Sequence, residues 1–95
     1  MKTLGRKDKI AAEQLDYVID WSGWLAEGDS IASQIIVVTG PDAVLVAFLT
    51  AFDATTSTIW LRNGTAGATY QVSCTVTTAA GTPRIGARCF EMLVR

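Results

Sequence analysis

The sequence predicts an all-β chain, an antiparallel β-sandwich of about seven short strands. Three observations lead there. From Tyr70 to Thr77 the residues alternate strictly: Tyr70, Val72, Cys74 and Val76 share one side, and Gln71, Ser73, Thr75 and Thr77 the other. That is the period of a strand with one buried face. Turn-forming clusters at Glu27-Gly28-Asp29, Gly40-Pro41-Asp42, Asn63-Gly64 and Ala79-Ala80-Gly81-Thr82-Pro83 cut the chain into strand-length pieces. Finally, 95 residues make one domain. A chain of that size buries only about 60–65% of its unfolded surface, so its stability margin is thin.

The stretch Ile59–Thr78 organises the rest as a strand, a glycine-rich corner and a longer strand. Gly64 and Gly67 allow positive φ in the corner. Tyr70 stands where the chain re-enters the sheet, placed to pack its ring inward and bond its hydroxyl back to the corner backbone. Tyr70, Gly64 and Gly67 are therefore assigned structural roles. The segment looks like the E–F corner and F strand of an immunoglobulin-like domain.

Taken in order, residues 1–12 are polar or small without periodicity and predict a flexible basic N-terminal arm, leaving 13–95 as the sandwich. Gln14–Trp21 alternates as a first strand, with Leu15, Tyr17, Ile19 and Trp21 on one side. Trp21–Leu25 breaks the alternation and predicts a short helical turn capped by Asp20. Trp21 and Trp24 would lie on one side of that turn as a lid or as part of a binding patch. Ser30–Thr39 is a second strand, rich in β-branched residues. Ala43–Phe52, AVLVAFLTAF, is the most apolar stretch. It fits either a short helix or a strand buried on both faces, and the flanking turns favour one or two strands. Its apolarity exceeds what a half-buried strand needs, which makes Phe48 and Phe52 candidates for facing another subunit. Thr56–Leu61 leads into the corner, Asn63-Gly64-Thr65 reads as a turn rather than a glycosylation site, and Ile85–Val94 is the last strand.

Charge is segregated along the chain. Residues 1–9 carry Lys2, Arg6, Lys7 and Lys9 against Asp8 alone. Residues 10–61 hold no Lys or Arg, but contain Glu13, Asp16, Asp20, Glu27, Asp29, Asp42 and Asp53. Residues 62–95 return to basic, with Arg62, Arg84, Arg88 and Arg95 against Glu91. An acidic side of one copy meeting a basic side of the next would give head-to-tail contacts with a fixed register. Asp16, Asp20, Trp21, Trp24, Phe48, Phe52, Arg84 and Arg88 are the candidate interface residues, and other copies of the chain are the first expected partners. The basic N-terminus has no interleaved aromatics, so nucleic acid is not an expected partner. No apolar run approaches the 18 or so residues of a membrane span, so neither is a membrane. The N-terminus lacks the apolar core of a secretory signal.

The residue types for catalysis are missing. There is no histidine, hence neither the usual general base nor the commonest metal ligand. Cys74 and Cys89 make no CxxC pair and lie too close in sequence for the inter-sheet bridge of an antibody domain. They are expected as thiols on opposite sides of the last hairpin, in a reducing compartment. Gly64-Thr65-Ala66-Gly67 lacks the Gly-Lys-Ser/Thr of a phosphate loop. Asp16 and Asp20 stand roughly 13 Å apart along one strand face, too far for a carboxylate dyad. No catalytic residue, metal or cofactor is expected.

Several blocks together carry a family resemblance. They are Lys7-Asp8, Leu15-Asp16-Tyr17, Ile19-Asp20-Trp21-Ser22-Gly23-Trp24-Leu25 and Asp29-Ser30-Ile31-Ala32-Ser33, then Ile59-Trp60-Leu61, Gly64-Thr65-Ala66-Gly67, Tyr70-Gln71-Val72 and Val76-Thr77-Thr78-Ala79-Ala80-Gly81. In this order they resemble small tailed-phage proteins known as fibre–tail adaptors, which have an immunoglobulin-like fold. The likeness runs from Lys7 to nearly the end of the chain. It departs from the family pattern at Lys9, where a proline is common, and in the unusual apolarity of Ala43–Phe52. The resemblance implies a non-enzymatic virion protein of the neck or tail, assembled in the bacterial cytoplasm. It implies a ring of several copies, and as partners the tail or connector proteins and the tail fibre. The alternative from another class is a carbohydrate- or surface-binding module of a fibre or decoration protein, using Trp21, Trp24 and Trp60 as a stacking platform.

Overall fold

The computed structural model describes residues 2–95 and consists of seven strands in two sheets. They are β1 (Lys2–Lys9), β2 (Leu15–Asp20), β3 (Ile31–Thr39), β4 (Val46–Phe52), β5 (Thr56–Arg62), β6 (Thr69–Thr78) and β7 (Ile85–Val94). One sheet has the order β1-β7-β6-β3 and the other β2-β5-β4. Every pairing is antiparallel except β1 with β7, which is parallel. The two sheets correspond to the two layers of an immunoglobulin-type sandwich, with the first strand joined to the last rather than to the second. The body is elongated, 43 × 21 × 19 Å.

The alternation in β6 is the centre of the core. Tyr70, Val72, Cys74 and Val76 are all buried and meet Ile59 and Leu61 of β5, Ile19 of β2, and Phe90, Met92 and Val94 of β7. Val72 stands two residues after the corner tyrosine, where antibody domains place the second cysteine of their bridge. Apolar packing takes the place of that bridge. Ser57 is fully buried, yet its hydroxyl oxygen accepts from Trp21 Nε1 at 3.0 Å and from the Cys74 thiol at 3.6 Å. Its polarity is thereby satisfied inside the core. Burial pushes the Cys74 thiol pKa up. Cys89 pairs in register with Ser73 while Cys74 pairs with Arg88, so the two sulfurs lie on opposite sides of the β6–β7 hairpin.

The N-terminal stretch corrects the sequence expectation. Lys2–Lys9 is a strand rather than a flexible arm. β1 has no apolar period of its own; its order comes from the β7 backbone and from charges in register. Arg6, opposite Glu91 in the ladder, reaches that carboxylate at 3.1 Å. Past β1, the Arg95 backbone N–H donates to the Lys9 carbonyl at 2.7 Å. Lys9 itself is 1% exposed. Its ammonium donates to three backbone carbonyls, those of Ile10 (2.9 Å), Ala11 (3.1 Å) and Asn63 (2.7 Å). Desolvation holds its pKa below the usual lysine value. These contacts explain how the chain accommodates lysine at a position where the resembling proteins often have proline.

The expected turn after β2 is present. The Trp24 and Leu25 N–H groups both donate to the Trp21 carbonyl, at 2.9 and 3.0 Å, and the Asp20 carboxylate accepts from the Ser22 N–H at 2.9 Å. Within the apolar segment, Val46–Phe52 forms one strand, β4, at the sheet edge. Its Val46, Leu49 and Phe52 remain between 37% and 54% exposed, so the strand is not buried on both faces.

Candidate docking surfaces

The outer face of β2-β5-β4 gathers apolar side chains that the core does not use. Asp16, Trp60 and Leu49 are register partners across the three strands, and Val18, Thr58 and Ala51 form the next row outward from them. A bulge between Ala47 and Leu49 lets Phe48 and Leu49 both contribute here, although they are adjacent in sequence. The Phe48 ring centre lies 6.4 Å from that of Trp60, and the Arg62 guanidinium sits 4.7 Å from the Phe48 ring centre. Val18 is 59% and Leu49 54% exposed. A sheet face of this composition lacks the polar alternation that solvent ordinarily imposes on an outer face.

A second surface is the groove of about 600 Å³ between the edge strands β1 and β2. It is lined by Leu4, Lys7, Val18, Asp20, Trp24 and Arg88, among others. Val18, Ile19 and Asp20 all line it, although successive side chains of a strand point to opposite faces. The groove therefore runs along the edge of β2, where the backbone has no neighbouring strand.

The expected interface residues divide among these places. Asp16 and Phe48 belong to the β2-β5-β4 face. Asp20 and Trp24 line the groove with Arg88. Phe52 lies at the β4 edge, partly exposed. Trp21 is the correction: it is 1% exposed and belongs to the core, because its ring is the floor on which the end of the sandwich closes. Arg84 and Arg88 have intramolecular partners too. The Arg84 guanidinium lies 4.7 Å from the Trp24 ring centre and that of Arg88 4.8 Å from Trp21. With Trp21 buried and Trp60 on another face, the three tryptophans do not form one platform. Val18 and Leu49 are not singled out by the sequence, and Lys7 is read there only as part of the basic N-terminus and of the Lys7-Asp8 block. The signal for Val18 was present as an apolar residue on the polar side of its alternating strand.

The corner behaves as its sequence predicts. Gly64 and Gly67 have φ of +105° and +86°. The Thr65 N–H donates to the Tyr70 hydroxyl oxygen at 3.0 Å, and that hydroxyl donates to Asp42 at 2.5 Å. Asp42 also accepts from the Val44 N–H and the Thr65 hydroxyl. These bonds, led by that of Tyr70, hold its carboxyl below the usual aspartate pKa. They fix the β3–β4 and β5–β6 connections together, which positions the start of β4 and so the apolar face.

Among the described residues no cluster of His, Cys, Asp or Glu could hold a metal, and no helix is long and apolar enough to cross a membrane. No curated protein matches the chain at a significant level. A family description does match: the podophage GP4 fiber-tail adaptor protein, gp77, aligns with residues 9–92. That alignment contains β2 to β6, most of β7, the corner and the β2-β5-β4 face; of β1 it contains Lys9 alone, so Leu4 and Lys7 of the groove lie outside it. The chain belongs to the podophage fibre–tail adaptor family, and it is a structural component of a phage tail.

Proposed function

We propose that the protein joins tail fibres to the tail or connector without catalysing a reaction, as several copies set around the tail axis and assembled in the host cytoplasm. The family match over residues 9–92 carries this reading. The unpartnered apolar face of β2-β5-β4 supports it, because an adaptor must present at least two surfaces to other chains. Head-to-tail repetition of non-identical surfaces closes into a ring when the rotation between copies divides a full turn. The segregation of acidic residues into 10–61 and basic residues into the flanking segments would set the register between copies. Arg84 and Arg88 are poor probes of that register, since each also stacks on a tryptophan. Leu49 is better: it is exposed and outside the core.

Leu49→Glu should leave the melting temperature nearly unchanged while lowering the amount of adaptor and fibre recovered in purified particles several-fold. Particles with normal adaptor and fibre content would rule out the β2-β5-β4 face as the docking surface. Particles with adaptor but no fibre would assign that face to the fibre rather than to the tail.

A further inference from the structure

The sandwich has four edge strands, β1 and β3 in one sheet and β2 and β4 in the other. Edges left unpaired are ordinarily guarded against a further strand by charge, by bulges or by covering groups. β1 carries Arg6, Lys7 and Asp8 and has a register shift between Thr3 and Arg6. β2 carries Asp16 and Asp20. β4 is bulged between Ala47 and Leu49, and its Ala51 carbonyl already accepts from Gln34 Nε2 of β3 at 3.0 Å. β3 has no such guard. From Ser33 to Thr39 it pairs with β6 in unbroken register, and the run SQIIVVT holds no charge, glycine or proline. Ile35 is 65% and Val37 46% exposed on its outer face.

The ladder fixes which backbone groups of β3 are free. The Ser73 hydroxyl of β6 donates to the Val37 carbonyl at 3.3 Å, so Val37 turns its backbone toward β6. Successive residues of an antiparallel strand alternate in this respect. Ile35 and Thr39 therefore face β6 as well, while Gln34, Ile36 and Val38 point their N–H and C=O groups away from it. Among the described residues β3 pairs with β6 alone, so those groups face the open edge.

We propose that β3 of a second copy occupies this edge, antiparallel to the first, with the two-fold axis perpendicular to the sheet beside Ile36. Only residues that face the edge can exchange ladder bonds, and Ile36 is the middle one. Centred there, Ile36 exchanges both of its bonds with Ile36 of the second copy, and Gln34 does the same with Val38. On the outer face the closely spaced pairs without backbone bonds then set Ile35 against Val37 and Ser33 against Thr39. Branched side chains meet branched side chains, and hydroxyls meet hydroxyls. The occupant is a second copy because the run complements itself in this one register, in its backbone bonds and in its side chains alike. The same operation on β2, centred at Val18, would set Asp16 against Asp20, acid against acid. A pair of this kind is closed and uses the same patch on both copies. It involves neither the outer β2-β5-β4 face nor the groove, and it does not rest on the head-to-tail ring.

Sedimentation equilibrium and amide hydrogen exchange test it. A single paired edge buries less than about 1,200 Å², so the wild-type mass should rise from one chain toward two as concentration increases through the micromolar range. Ile35→Lys with Val37→Lys, and Ile35→Glu with Val37→Glu, put like charges opposite each other and should each stay monomeric. Both should keep the wild-type circular dichroism, since these side chains are exposed. Mixing the two variants should restore the doubled mass, because every outer pair then opposes acid to base. Exchange in the wild type reads the same contact without any substitution. The amides of Gln34, Ile36 and Val38 should exchange about tenfold more slowly at high concentration than at low, with those of Ile35 and Val37 unchanged. A wild type still monomeric at about 1 mM, an assembly larger than two, folded variants whose mixture stays monomeric, or protection that does not alternate along β3 would each overturn the proposal.

Discussion

At the end of the sandwich that holds the β3–β4 and β5–β6 connections, a ring lies on a glycine and is fixed by directional polar bonds. At the opposite end, where the β2–β3 and β6–β7 connections meet, a ring also lies on a glycine, but one cation and one neighbouring ring hold it. The first ring is Tyr70 on Gly40, where an added Cβ would stand 2.3 Å from Tyr70 Cδ2. The second is Trp24 on Gly86, where it would stand 2.6 Å from Trp24 Cζ2. Tyr70 is 1% exposed and bonded to Asp42 and Thr65. Trp24 is half-buried, packed edge-on to Trp21 at 5.3 Å between centres, and covered by Arg84. Similar steric closure thus coexists with different freedom to yield. One end sets the geometry of the corner and of β4; the other is a lid whose ring can shift beside the groove.

Substituting each glycine gives the sharpest way to break this comparison. Gly40→Ala should be the most damaging, costing about 3 kcal/mol, because a buried and doubly bonded ring cannot move aside. Chemical denaturation would read it. A loss under 1 kcal/mol would show that Tyr70 can leave its place. Next comes Tyr70→Phe, which keeps the ring but strands the Thr65 N–H and removes a partner of Asp42. A loss of about 2 kcal/mol is expected, with a lower melting temperature and unchanged circular dichroism in the far ultraviolet.

Gly86→Ala should cost less, about 1 kcal/mol, because Trp24 can swing toward solvent. Its signature is a red-shifted, more quenchable tryptophan emission, which Gly40→Ala should not produce. The smallest effect is on pH dependence. Asp42 has a folded-state pKa below its unfolded value. The stability it contributes is present above the ordinary carboxylate range and is lost as pH falls through the folded value. Asp42→Asn should therefore flatten the acid limb of melting temperature against pH, and an unchanged limb would count against the clasp. Part of that limb remains in the variant. Asp20 and Asp53 are lowered in the same direction by backbone N–H groups at the ends of β2 and β4.

Local signals and distant ones separate cleanly along this chain. The alternation of β6, the positive φ at Gly64 and Gly67, the Tyr70 bond to the corner and the turn at Trp21–Leu25 are properties of near neighbours. Each was legible because pleat, turn and cap act within a few residues. Asp42 escaped notice as the acceptor of the Tyr70 hydroxyl, since 28 residues separate the two. The candidate site was legible in part. Phe48 was marked by excess apolarity, and Asp16 by charge segregation. Val18 and Leu49 join them only once β2, β5 and β4 are set side by side in register.

By itself, then, the sequence determined the all-β class, the approximate limits of the strands after the first, the tyrosine corner, and the family through blocks that keep their order. Those features follow from period, turn chemistry and residue type, all of which survive in one dimension. The tertiary structure alone decided that Lys2–Lys9 is a strand, that Trp21 is core, and that Lys9 is buried under three carbonyls. It also decided that the acidic and basic edges flank one open seam. Each of these depends on backbone or charge supplied by residues far away in sequence, and such partners carry no periodic trace in the segment that receives them.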